Sequence, residues 1–148
     1  MAGADITTHL QSIERFIVMV HGSPRQLSLS EILVMQAHVD AMLDEIVAGW
    51  PVDTSSSRDA WTYTTNSVVG DVSFTLDNRV EYVEFVHFAG DPTLLIDGFV
   101  PDVIDAHLPA MLADMKAEIL ATEIRIKANR ARGGRGFIDV IQYARKAS

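Results

Sequence analysis

Apolar residues recur at helical spacing in the first twenty residues, where Leu10, Ile13, Ile17 and Val20 fall three or four apart. The pattern predicts a first helix over residues 5–20, closed by Gly22-Ser23-Pro24. A second helix has clearer punctuation. Ser28-Leu29-Ser30-Glu31 is a capping box, in which two side chains satisfy orphan backbone N–H groups. Ile32, Met35, Val39, Met42 and Ile46 then follow at spacings of three and four, until Gly49 and Pro51 stop the run. Leu33, Val34, Leu43 and Val47 widen the apolar face, which predicts burial on two sides.

The period then changes. Trp61 and Tyr63 alternate with Thr62 and Thr64, and Val72, Phe74 and Leu76 alternate with Asp71, Ser73 and Thr75. Asp77-Asn78 is turn chemistry, and a third strand is expected over Val80–Phe88. That run is apolar on both faces, which points to contacts beyond the monomer core. Together these runs predict an α+β fold: an antiparallel β-meander packed on a long α-helix, with N- and C-terminal helices and a C-terminal arm. Residues 89–100 read as a loop with an apolar centre. A last helix is expected from about Pro101 to Ala128, marked by Ile104, Leu108, Met111, Met115 and Ile119, with Pro109 kinking or splitting it. Beyond it, Gly133-Gly134-Arg135-Gly136 reads as flexible, and Phe137–Tyr143 has strand character. The expected division is a domain over 1–128 and a basic arm over 129–148. A strand behind a hinge at a chain end is suited to joining another subunit's sheet.

Composition adds one asymmetry. The net charge is −8, but residues 1–124 carry −14 and residues 125–148 carry +6. An acidic body repels nucleic acid, whereas the tail seeks an acidic surface. There is no cysteine, which excludes disulfides and Cys-based zinc sites. No apolar run is long enough for a bilayer, so no membrane partner is expected. Met1-Ala-Gly-Ala-Asp5 lacks the features of a signal peptide, so folding in the cytoplasm is expected.

Candidate chemistry is sparse. His9, His21, His38, His87 and His107 form no metal-binding spacing. His107 with Asp102 and Asp105 is the nearest approach to a catalytic cluster; helix-dipole acids explain the two aspartates better. His38 reads as a polar-face residue, and His87 as a hydrogen-bonded histidine on a strand. Ser55-Ser56-Ser57 lacks a nucleophile-elbow setting. Gly133–Gly136 does not follow a strand and open a helix, so it is not read as a phosphate loop. No catalysis, cofactor or metal is expected. Leu94, Leu95, Ile96 and Phe99 are apolar loop residues that need cover, and so become candidate subunit contacts. Arg130, Arg132, Arg135, Phe137, Ile138, Val140, Ile141 and Tyr143 are the candidate contacts of the arm.

Two segments carry a resemblance. Trp50-Pro51-Val52-Asp53-Thr54, with Arg58 after it, resembles the P-V-D-T-G-x-L-R-x-S stretch of tail-completion and neck proteins of long-tailed bacteriophages. Asn78-Arg79-Val80-Glu81-Tyr82-Val83-Glu84-Phe85-Val86-His87-Phe88-Ala89-Gly90 is similar to that family's N-x-V-P-Y-A-x-F-V-E-Y-G. Ser55, Glu81 and His87 depart from the pattern, and Ala89 is an insertion; the resemblance spans roughly residues 28–126. It implies a structural virion protein, assembled in host cytoplasm into a ring, expected to be six-membered, between head connector and tail tube. Double-stranded DNA would pass through without sequence-specific contact. A tail terminator or head–tail stopper ring is a related alternative. A non-viral α+β dimer with an apolar ligand between sheet and long helix is a second one, which requires a discrete cavity there.

Overall fold

The computed structural model describes residues 3–51, 55–86 and 95–133, with the side chains of 55, 56 and 133 left aside. The order is β1 (Ala4–His9), α1 (Gln11–His21), α2 (Leu29–Gly49), a four-residue α3 (Ser55–Arg58), β2 (Trp61–Val68), β3 (Asp71–Asn78), a 3-10 turn (Val83–Phe85) and α4 (Phe99–Gly133). The α+β class expected from the sequence is the one observed. The three strands form one antiparallel sheet in the order β1-β3-β2, with β3 in the centre. The sheet is therefore not a meander of consecutive strands.

Two elements differ from the sequence reading. Ala4–His9 is a strand, and the helix starts only at Gln11. Leu10, Ile13 and Ile17 do mark buried positions. The six residues before Leu10, however, alternate and include the β-branched Ile6, Thr7 and Thr8, which suit a pleated surface. The second difference is the run after β3. Val83 and Val86 are buried while Tyr82 and Phe85 are exposed, and Val80 packs on the core. Val80, Val83 and Val86 recur every third residue, the repeat of a 3-10 turn and not the alternation of a strand.

The inner face of the sheet (Ile6, Val72, Phe74, Leu76, Trp61) meets the helices, and the outer face is polar. Register rows on that outer face are Asp5–Asp77–Thr62, Thr7–Thr75–Thr64 and His9–Ser73–Asn66. Gly70 turns the β2–β3 hairpin at φ 80°, a conformation that favours glycine.

The helices pack around a core of Ile13, Ile17, Met35, Val39, Met42, Ile46, Met111, Met115 and Ile119. His38 Nε2 lies 2.8 Å from Asp114 and His107 Nε2 3.5 Å from Glu45, so α2 and α4 run antiparallel. Lys116 sits over the Phe16 ring and His21 meets Glu123, so α1 runs parallel to α4. Of the extra apolar residues on α2, Val34, Leu43 and Val47 pack against the core, while Leu33 stays exposed. α4 is continuous through Pro109 and runs past 128 to Gly133. No described side chain after Glu123 is buried, Ile126 being partly covered, so the last ten residues, about 15 Å of helix at 1.5 Å per residue, lie at the edge of the body.

Candidate functional site

The most organised polar cluster lies where α1 ends, α2 begins and α4 passes. The capping box forms as the sequence predicts: Ser28 Oγ accepts from Glu31 N, and Ser28 N donates to Glu31 Oε1 at 2.8 Å. Glu31 is fully buried. Its two oxygens also accept a fork from Arg25, Nη1 at 2.8 Å and Nη2 at 2.9 Å. Arg25 Nε donates to Glu123 Oε2 at 3.0 Å, and Nη1 also donates to the carbonyl of Gln26. His21 Nδ1 lies 3.0 and 3.1 Å from the two Glu123 oxygens, a contact that requires a hydrogen on Nδ1 because a carboxylate only accepts.

The electrostatics follow from that geometry. Burial works against the charge of Glu31, yet hydrogen bonds from Arg25 and the Ser28 N–H outweigh it and hold the carboxyl below its ordinary range. Burial likewise opposes the Glu123 charge, and His21 and Arg25 overcome it. The Glu31 hydrogen bond holds Arg25 more firmly protonated. Arg25 and His21 answer the two carboxylates, and the cluster joins three helices.

A pocket of about 290 Å³ adjoins it, between α1 and the β2–β3 turn, lined by Glu14, Arg15, Ile17, Val18, Pro24, Arg25, Gly70 and Val72. Glu14 is occupied, accepting from Val72 N at 2.9 Å, and Arg25 is occupied by Glu31. This is not the space between sheet and long helix that a ligand-binding dimer requires.

The structure separates the other candidates. Asp102 and Asp105 are exposed in the first turns of α4, while His107 turns to Glu45 on α2, so no Asp–His pair forms. His38 lies on the α2–α4 seam with Asp114. Ser57 is buried, and its Oγ accepts from Trp50 Nε1 at 2.8 Å, a packing role. No group of three or more His, Asp or Glu among the described residues is arranged for a metal ion, and none of their helices is long and apolar enough to cross a membrane.

The apolar loop residues are corrected by their burial. Leu95 and Ile96 lie in the monomer core, held by Leu95 N to Val86 O and Val100 N to Leu95 O, both 2.9 Å. The Phe99 ring lies against Gly49, where an added Cβ would come within 2.3 Å of it. These residues need no neighbour to cover them, because the turn into α4 folds them under the end of α2. Arg130 and Arg132 are exposed near the end of α4. Leu94, His87, Arg135, Phe137, Ile138, Val140, Ile141 and Tyr143 lie outside the described residues.

Apolar exposure appears elsewhere. Met19 on α1, Leu29 and Leu33 on α2, and Leu120 and Ile124 on α4 are each at least 45% exposed. Sequence reading missed both this surface and the cluster. Glu31 was legible as a cap, but its partner Arg25 also binds Glu123, 98 residues away in the chain.

Described residues of the two stretches that carry the phage resemblance meet at the foot of the β2–β3 hairpin. Asn78 Nδ2 donates to the carbonyl of Ser57 at 2.6 Å, and Asn78 Oδ1 accepts from Val80 N at 3.0 Å. Trp50 bonds Ser57 and packs edge-on against Trp61, with ring centroids 5.4 Å apart. No family model, curated protein or solved structure matches this chain.

Proposed function

We propose that this chain is a structural subunit of a bacteriophage neck or tail, of the tail-completion or head–tail-joining type, acting by assembly into a ring and not by catalysis. Two segments about twenty residues apart each resemble a stretch of one family, and their described residues Ser57 and Asn78 share a buried hydrogen bond. The two stretches flank the β2–β3 hairpin, whose register sets Trp61 opposite Asn78, so the likeness itself carries the reading and the junction shows where its two halves lie. The apolar side chains left open on α1, α2 and α4 add support, since they suit a chain that buries more surface on association.

Charge fits the same reading. DNA crossing a ring must not adhere, and each phosphate contact by Lys or Arg adds affinity. A body of net charge −14 over residues 1–124 avoids such contacts. Electron microscopy of the purified protein, alone and with particles lacking it, is the direct test. The expected result is a ring with a central hole that restores tailed, infectious particles. A closed dimer without a hole, and no effect on particles, would reject the reading. The alternative ring positions, terminator or stopper, differ in where labelled protein sits on the particle.

A further inference from the structure

The sheet has two edges, and the hydrogen-bond parity tells which groups face outward. Leu10 N donates to Val72 O at 2.8 Å, one step beyond the His9–Ser73 pair. In an antiparallel ladder the bonded residues alternate. Ala4, Ile6 and Thr8 therefore bond to β3, while Asp5, Thr7 and His9 turn their N–H and C=O groups outward. By the same parity Trp61, Tyr63, Thr65 and Ser67 face outward from β2, and Ser67 O indeed accepts from Gln26 Nε2 at 2.9 Å.

The two edges are not equivalent. On β2 the outward carbonyl of Ser67 is taken by Gln26, and the side chains of Ser67, Thr65 and Tyr63 are engaged by Leu27, Gln36 and Asp40, so α2 and the turn before it crowd this edge. Among the described residues nothing bonds to the outward groups of Asp5, Thr7 and His9. Ile6, on the inner face of β1, is only partly buried. Two aspartates stand at this edge, Asp77 paired with Arg79 at 3.3 Å and Asp5 beside it. Asp5 stands opposite Asp77 and shares a hydrogen bond with it, and that bond and the like charge hold Asp5 above its ordinary range, with Arg79 opposing.

We propose that residues 137–143 of a second copy add as a fourth strand to the free edge of β1. Seven residues match the six of β1. Arg135 before them and Arg145 and Lys146 after them suit Asp5 and Asp77. Asp139 is the one charge in the segment and is costly to bury. It therefore takes the outer face with Phe137, Ile141 and Tyr143, and Ile138 and Val140 continue the apolar inner face beside Ile6.

This deepens the ring reading by naming one subunit contact, and its test separates the two. The chain has no cysteine, so single cysteines give clean pairs. One copy carries Thr7→Cys, and a second carries cysteine at 138, 139, 140 or 141. Disulfide between copies is expected at 139 and 141, on the face of Thr7, and not at 138 and 140. Thr7→Pro removes one outward N–H without touching the β3 ladder, and edge strands tolerate proline. It should weaken association about tenfold, the equivalent of roughly 1.4 kcal/mol, with the fold intact by circular dichroism. Bonding only within one doubly labelled chain, no alternation, or no disulfide at all would overturn the proposal. A ring that persists after deletion of 134–148 rejects the arm contact and leaves the ring. Alternating disulfides in a closed dimer reject the ring and leave the contact.

Discussion

Replacing Arg25 by methionine would leave Glu31 and Glu123 facing a site with no permanent cation. Breaking a buried ion pair by removing one partner costs about 3–5 kcal/mol. The loss should appear as a lower denaturant midpoint with unchanged slope. Its pH dependence is the sharper readout. In the native chain both carboxyls sit below their ordinary 4.5, so the folded form binds fewer protons than the unfolded one. Their contribution is present above about pH 4.5 and is lost as pH falls through the lower folded values. Without Arg25, burial acts on Glu31 with its main cation gone and raises it, while Glu123 keeps only His21, and the sign inverts for Glu31: the variant should gain stability as pH falls from 7 towards 4.5. Urea titrations at pH 7 and pH 5 measure this, and a variant that tracks the native chain at both would show that Arg25 does not hold the cluster. The two tryptophans offer a companion comparison. Trp61 Nε1 is buried with no partner among the described residues, whereas Trp50 Nε1 bonds Ser57. Trp61→Phe should therefore cost less than Trp50→Phe, which loses the hydrogen bond to Ser57, worth about 0.5–1.5 kcal/mol.

At the scale of elements, β1 is the strand that periodicity concealed, and it makes a clear target. Gly3 precedes it at φ +80°, where an added Cβ would fall 1.7 Å from the Asn78 carbonyl. Gly3→Ala should detach the start of β1 from β3, and hydrogen exchange of the Ile6 and Thr8 amides should accelerate while α2 amides stay protected. Equal protection in both chains would count against the pairing. α2 is legible because capping, 3–4 spacing and length agree over many residues, and α4 because spacing and length do. β1 was not, because six residues followed at once by Leu10, Ile13 and Ile17 extend a helical pattern backwards. The 83–85 turn was misread as a strand because an apolar run shows its period only once burial separates Val83 and Val86 from Tyr82 and Phe85. The apolar centre of 89–100 looked like an interface for a related reason: sequence shows that Leu95 and Ile96 need cover, but not that α2 and α4 supply it. The end of α4 is a further test of element stability. A helix segment without tertiary packing is marginal in water. Amides beyond about residue 127 should exchange far faster than those over 103–123 in the isolated subunit, and should slow on assembly if that end packs on a neighbour.

For the whole molecule, the charge split has a consequence that depends on assembly. Residues 125–148 carry +6, and in a free subunit that segment should bind duplex DNA weakly at low salt. Each phosphate contact contributes a slope of about −0.9 in log affinity against log salt concentration, so a few contacts give a steep but measurable decline. In the assembled ring the same segment would lie along the edge at Asp5 and Asp77, and its charges would no longer be free. Fluorescence anisotropy with a short duplex should therefore show binding by the free subunit, none by a chain lacking residues 125–148, and much weaker binding per subunit by the ring. A ring that holds DNA as tightly as its free subunits, with the same slope, would mean the basic segment faces the strand. DNA passage would then have to be explained without an acidic lumen. This outcome would leave the fold and the Ser57–Asn78 junction untouched, because neither depends on where the arm goes.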